Sequence, residues 1–187
     1  MHEAPSALLP WSSFYVITGS SAAALTGLMF VVITLVAGDR SRPTSEGIAT
    51  FSTPTVVHFC GALFVSVLLS APWRSLTHVA VMLGLAGLAG VAYSLRVTHR
   101  TRRLTTYRPG MDDWLWYVVL PLAAYVAVLA AAIALPAVPT EALFALAGGI
   151  VLLIFIGIHN AWDVVTYLAI EVVPQADDAG ATKPPPP

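Results

Sequence analysis

Four side chains near the end of the chain have the types and spacing for chemistry. His159 and Asp163 lie four apart, and Asn160 reaches Asp163 at a spacing of three. On a helix these separations put side chains on one face, and Thr166 extends the stripe by one turn. His58 falls at a similar distance from the end of its own apolar run. Imidazole and carboxylate together suit a proton relay or a divalent metal. His58, His159 and Asp163 are therefore the candidate metal or proton set, with Asn160 and Thr166 in the same polar cluster. The competing reading is a hydrogen-bonded lock between helices, because polar pairs among membrane helices also serve packing. Cys60, two residues from His58, points about 200° away round a helix and reads as a small buried apolar residue. As the single cysteine it forms no intrachain disulfide.

The elements that must carry these groups follow from composition. Of 187 residues 57% are hydrophobic and 10% charged, too little polar surface to cover a water-soluble globule, for which about 25% charged residues is usual. The chain reads as an all-α polytopic membrane bundle of five transmembrane helices, at about 11–38, 54–72, 75–95, 114–135 and 141–173. Residues 1–10 are an outer N-terminal segment and residues 174–187 a disordered, proline-rich tail. The first run has no Lys or Arg before it and is about twice the length of a signal-peptide core, so it reads as a span. Thr53 and Pro54 look like an N-cap and first helical position. Pro72, Trp73 and Arg74 form a turn so tight that the second and third spans should pack as an antiparallel hairpin. Thr140 can cap the fifth helix, whose length of about 48 Å exceeds a hydrocarbon core of about 30 Å, so its end should protrude into the cytoplasm.

Eight of the nine Lys and Arg residues fall in the loops after the first and third spans and in the tail. The positive-inside rule therefore places the N-terminus outside and the C-terminus in the cytoplasm. Trp11 and Trp73 then mark the outer boundary, and Trp114, Trp116 and Trp162 the inner one, where amphipathic rings prefer to sit.

Small residues let helix backbones approach closely in lipid. Gly19, Ala23 and Gly27 make one such row on the first span, Gly84, Gly87 and Gly90 another on the third, and Ala123, Ala127 and Ala131 a third on the fourth. Thr18, Ser21 and Ala22 share a narrow face of the first span and are the candidate pore lining. Arg96, Arg100 and Arg103 lie on one side if their helix continues, where they can meet anionic lipid headgroups. The net charge of −1 provides no basic face for nucleic acid. No P-loop, dinucleotide fingerprint, H-E-x-x-H or supported G-x-S-x-G motif occurs. The chain therefore reads as a non-enzyme without a cofactor.

The stretch from Phe14 to Val31 and the Asn160-Ala161-Trp162 motif resemble small bacterial membrane proteins labelled as modulators of the FtsH protease. In that family a glutamate follows the Asn-Ala-Trp motif by about five residues, where this chain has Tyr167. The resemblance implies a multi-pass protein of the bacterial inner membrane that acts through a larger partner. Taken together, the sequence ranks three functions: first a homo-oligomeric channel for ions or small solutes, second a regulatory or scaffolding partner of a larger membrane complex, and third an intramembrane metal or haem site.

Overall fold

Five apolar stretches become five rods. The computed structural model describes residues 7–38, 45–102 and 110–167, and the side chains within them except those of 35–38, 45–52, 100, 101, 113 and 167. Among the described residues every element is helical: a 3-10 turn at Leu9–Trp11, α1 (Ser12–Gly38), α2 (Ser45–Ser70), α3 (Leu76–Arg102), α4 (Met111–Trp114), a π-helical segment (Leu115–Val119), α5 (Leu120–Ala134) and α6 (Pro139–Tyr167). Five helices are long and apolar enough to cross a membrane: Leu9–Thr34, Thr53–Ser70, Leu76–His99, Leu115–Ala134 and Pro139–Thr166. Large apolar side chains such as Ile17, Phe30, Phe64, Leu85, Ile133 and Phe155 point outward. In water such a surface would aggregate, and in lipid it is the expected solvent-facing side. The expected tail, 174–187, lies outside the described residues, as does any extension of α6 beyond Tyr167.

Local chemistry sets the helix ends, in places differently from expectation. The apolar part of the second rod starts at Thr53, but the helix begins upstream at Ser45 and carries Pro54 in its interior. Proline's φ is helical, and the hydrogen bond it removes is tolerated where neighbouring groups compensate. Ser75 accepts a hydrogen bond from the Thr77 amide at 3.2 Å, which caps α3. Pro139, rather than Thr140, sets the start of α6: it takes the first helical position, and the Val138 carbonyl accepts from the Ala142 amide at 3.1 Å. The π segment just before Pro121 went unread in the sequence. There the Leu120 amide reaches back five residues to the Leu115 carbonyl, shifting the register immediately ahead of a residue with no N–H of its own.

Packing order differs from chain order. The main contacts run α1 to α2, α2 to α6, α6 to α5, and α5 to α3, whereas α2 and α3 touch only lightly. The expected hairpin is thus antiparallel but splayed. A Cβ added to Gly61 on α2 would lie 2.9 Å from the Tyr125 hydroxyl, and one added to Gly90 on α3 would collide with the Tyr125 ring. The aromatic side chain of α5 occupies the space between the two helices, and Gly61 and Gly90 make room for it. At one end of the bundle the Trp11 ring meets Phe144 edge-on at 4.7 Å. At the other, Trp116 and Trp114 contact the ends of α6 and α3.

A candidate intramembrane polar site

The α2 residues Thr55, His58, Phe59, Ala62 and Ser66 form its buried stripe. His58 turns toward α5, where its Nδ1 lies 3.2 Å from the Tyr125 hydroxyl, and the Tyr93 ring of α3 stands edge-on to it at 6.5 Å. His58, Pro54, Tyr93, Ser94, Tyr117 and Pro121 line a crevice between α2, α3 and the fourth span, too narrow to hold a water molecule. Two prolines within helices, Pro54 and Pro121, the π segment and a buried histidine thus converge on one place. Irregular backbone at membrane depth is tolerated where it is buried in protein or lines a cavity, and departures from local rules gather at functional sites.

The polar stripe of α6 lies elsewhere. The i, i+4 spacing brings His159 Nδ1 within 3.3 Å of an Asp163 carboxylate oxygen, but without hydrogen-bond alignment. The two side chains are 34% and 44% exposed, so the expectation that they face the bundle interior is corrected. Helical phase explains the outcome: Ile156, Gly157, Asn160 and Val164 hold the buried line, which leaves His159 and Asp163 at its edge. His159 lies flat on the Trp116 ring, with centroids 3.8 Å apart and planes within 8°. Thr166 donates to the Trp162 carbonyl at 2.9 Å and so spends its hydroxyl on its own helix. Asn160 is fully buried, and neither its amide nitrogen nor its oxygen has a partner.

His58 therefore does not join His159 and Asp163, and among the described residues no three His, Cys, Asp or Glu side chains gather to hold a metal. The physical reason is that Phe59, the neighbour of His58, is the α2 side chain that packs against Gly157 of α6, which turns the imidazole toward α3 and α5. Cys60, expected to be buried, is exposed one step further round the same helix.

The candidate pore lining also divides. Thr18 and Ala22 are buried, and the Thr18 hydroxyl lies 3.1 Å from that of Ser66 on α2, while Ser21 faces outward. Gly19 packs near Ser66, where an added Cβ would lie at 3.1 Å, but Ala23 is exposed and a Cβ on Gly27 would meet nothing within 4 Å. On α3, Gly87 sits against the Leu129 backbone and Gly90 against Tyr125, whereas Gly84 is open. On the fourth span Ala131 is buried and Ala123 exposed; Ala124 and Val128 face Gly149 of α6. Arg96 is exposed at the end of α3. The side chain of Arg100 and the whole of Arg103 lie outside the described residues; Arg102, not singled out in the sequence, sits 5.6 Å over the Trp114 ring.

Sequence reasoning missed Tyr93, Ser94, Tyr125 and the glycine notches at Gly61 and Gly157. One signal was available: Tyr125 falls well inside an apolar run, and a phenol in hydrocarbon needs a partner. Comparison with protein-family models, curated proteins and solved structures finds no match to the chain.

Proposed function

We propose that this is a non-catalytic, multi-pass protein of a bacterial cytoplasmic membrane that works as an assembly of copies, with its N-terminus outside and its C-terminus in the cytoplasm. A path for ions or small solutes then runs between copies rather than through one. The observation that carries this reading is the outward face of α1. In the apolar 18-residue stretch of the first span 22% of the residues are buried, against 56% in that of the fifth. Ser20, Ala23, Ala24 and Gly27, the small residues that would let another helix approach, are all exposed. Within one chain, by contrast, the Thr18 hydroxyl is already engaged with α2. The cation distribution supports the orientation.

Purification in mild detergent followed by mass measurement and flux assays in liposomes tests this. A closed oligomer with solute flux is expected, and a monomer without flux refutes the proposal. A second reading, a regulatory partner of a larger membrane complex such as a membrane protease, draws on the same exposed face and on the resemblance of residues 14–31 and 160–162. Co-purification of one stoichiometric large partner in place of the homo-oligomer would select it.

A further inference from the structure

We propose that the crevice between α2, α3 and the fourth span binds a neutral carbonyl group carried by an apolar, bilayer-dissolved molecule, with the Ser94 hydroxyl as the hydrogen-bond donor. Hydroxyls in these helices have a usual outlet. Thr18, Thr26, Thr34, Ser70, Thr98 and Thr166 each donate to the carbonyl four residues back. Ser94 does not, although it is 4% exposed and its Oγ has no partner. An unpartnered hydroxyl buried away from water is costly. Ser94 stands on the crevice wall, so a ligand group seated there would satisfy it.

The walls define the chemistry of that group. Pro54, His58, Ser94 and Pro121 are buried and form the floor, whereas Tyr93, Val97 and Tyr117 are partly exposed and form the open side. The crevice lies at the ends of three apolar spans, with Pro54, Val97 and Tyr117 within two residues of Thr53, His99 and Leu115, so a bilayer-dissolved group at the depth of the interface can reach its open side. No Lys, Arg, Asp or Glu lines it, and its imidazole, His58, is already engaged with the Tyr125 hydroxyl, so a phosphate or an ammonium group would enter unpaired, at a cost of several kcal/mol. A neutral group remains; the Ser94 hydroxyl can donate or accept, and the acceptor that apolar bodies in a bilayer carry most widely is a carbonyl, the ring carbonyl of a quinone or the acyl ester of a lipid. Aromatic and apolar walls with a few convergent polar groups are the usual make-up of small-molecule sites. The crevice is closed to water in this structure, so binding displaces a side chain of the open side.

The test uses the full chain in nanodiscs of dialkyl ether phosphatidylcholine, a lipid with no carbonyl. Two probes carrying ¹³C carbonyls are titrated separately, a short-tailed benzoquinone and a diacyl phosphatidylglycerol, and the isotope-shifted carbonyl band is followed by infrared spectroscopy. A band moved to lower frequency, saturating near one probe per chain, is expected. It should weaken about tenfold or more in Ser94→Ala, and also in Val97→Phe, which fills the crevice while keeping the hydroxyl. Saturation by one probe alone identifies the source, and saturation by both supports the general carbonyl site. No saturable shift with either probe in the wild-type chain, or a shift that both variants leave intact, overturns the proposal.

Discussion

The junction of α2, α3 and α5 and the first span are built from the same materials and used in opposite ways. At the junction, glycines are notches already filled: Tyr125 lies between Gly61 and Gly90, and Leu129 presses its backbone on Gly87. On α1, Gly19 meets Ser66, while Gly27 faces open space. Since lipid tails are as apolar as leucine, helices in a bilayer are held by close approach and hydrogen bonds rather than by hydrophobicity. A small-residue row thus does not by itself state its partner. What it packs against depends on whether a neighbouring helix offers a ring or a backbone at that depth.

The largest effect expected to break this contrast is at the filled notches. Gly87→Ala would put a Cβ 2.9 Å from the Leu129 backbone, which cannot swing away, and Gly90→Ala would strike the base of the Tyr125 ring. Each should cost about 1–3 kcal/mol as overpacking. Gly84→Ala meets nothing and should be neutral or stabilise by up to about 1 kcal/mol through helix propensity, and Gly27→Ala, which meets nothing within its own chain, should do the same in a detergent that keeps the chain monomeric. Thermal melts of the four variants in one detergent measure the difference, and equal melting temperatures would dissolve the distinction between filled and open notches.

A smaller effect is expected at the junction itself. Tyr125→Phe keeps the ring between its glycines but removes the hydroxyl from His58, so it separates wedge from hydrogen bond. A loss of about 0.5–1.5 kcal/mol is expected, in the range of interhelical bonds in membranes. A loss as large as that of Gly90→Ala would mean that the hydroxyl, not the ring, holds the helices. Asn160→Leu should act with the opposite sign. Both amide atoms are buried without partners, so an apolar side chain of similar size should leave the melting temperature unchanged or raise it slightly. A clear drop would show that Asn160 has a partner in the folded protein.

How much of this was legible in the sequence depends on range. Span positions were readable because an apolar run of sufficient length is a property of consecutive residues. The approach of His159 to Asp163 was readable because it is fixed by helical pitch. That His159 rests on Trp116, and His58 on Tyr125, was not, since both pairs join residues far apart in the chain whose meeting depends on helix rotation. The splayed hairpin was misjudged for the same reason: a short turn fixes antiparallel direction, but Tyr125, from a third helix, decides the separation. Starting the second helix at Pro54 gave a proline more authority over a boundary than it has when Ser45 and its successors continue the helix upstream.

The open face of α1 is proposed as a contact between copies. Cysteine cross-linking in native membranes, in a Cys60→Ala background, tests it most directly. Ala24 is exposed on α1 in the small-residue row, and Leu88 is an equally outward position on α3. Ala24→Cys should give an oxidant-dependent dimer at low expression, and Leu88→Cys should remain monomeric under the same conditions. Cross-linking at both positions, or at position 88 alone, would contradict the claim, as would a chain that stays monomeric with cysteine at position 24 and at each of its exposed neighbours on that face.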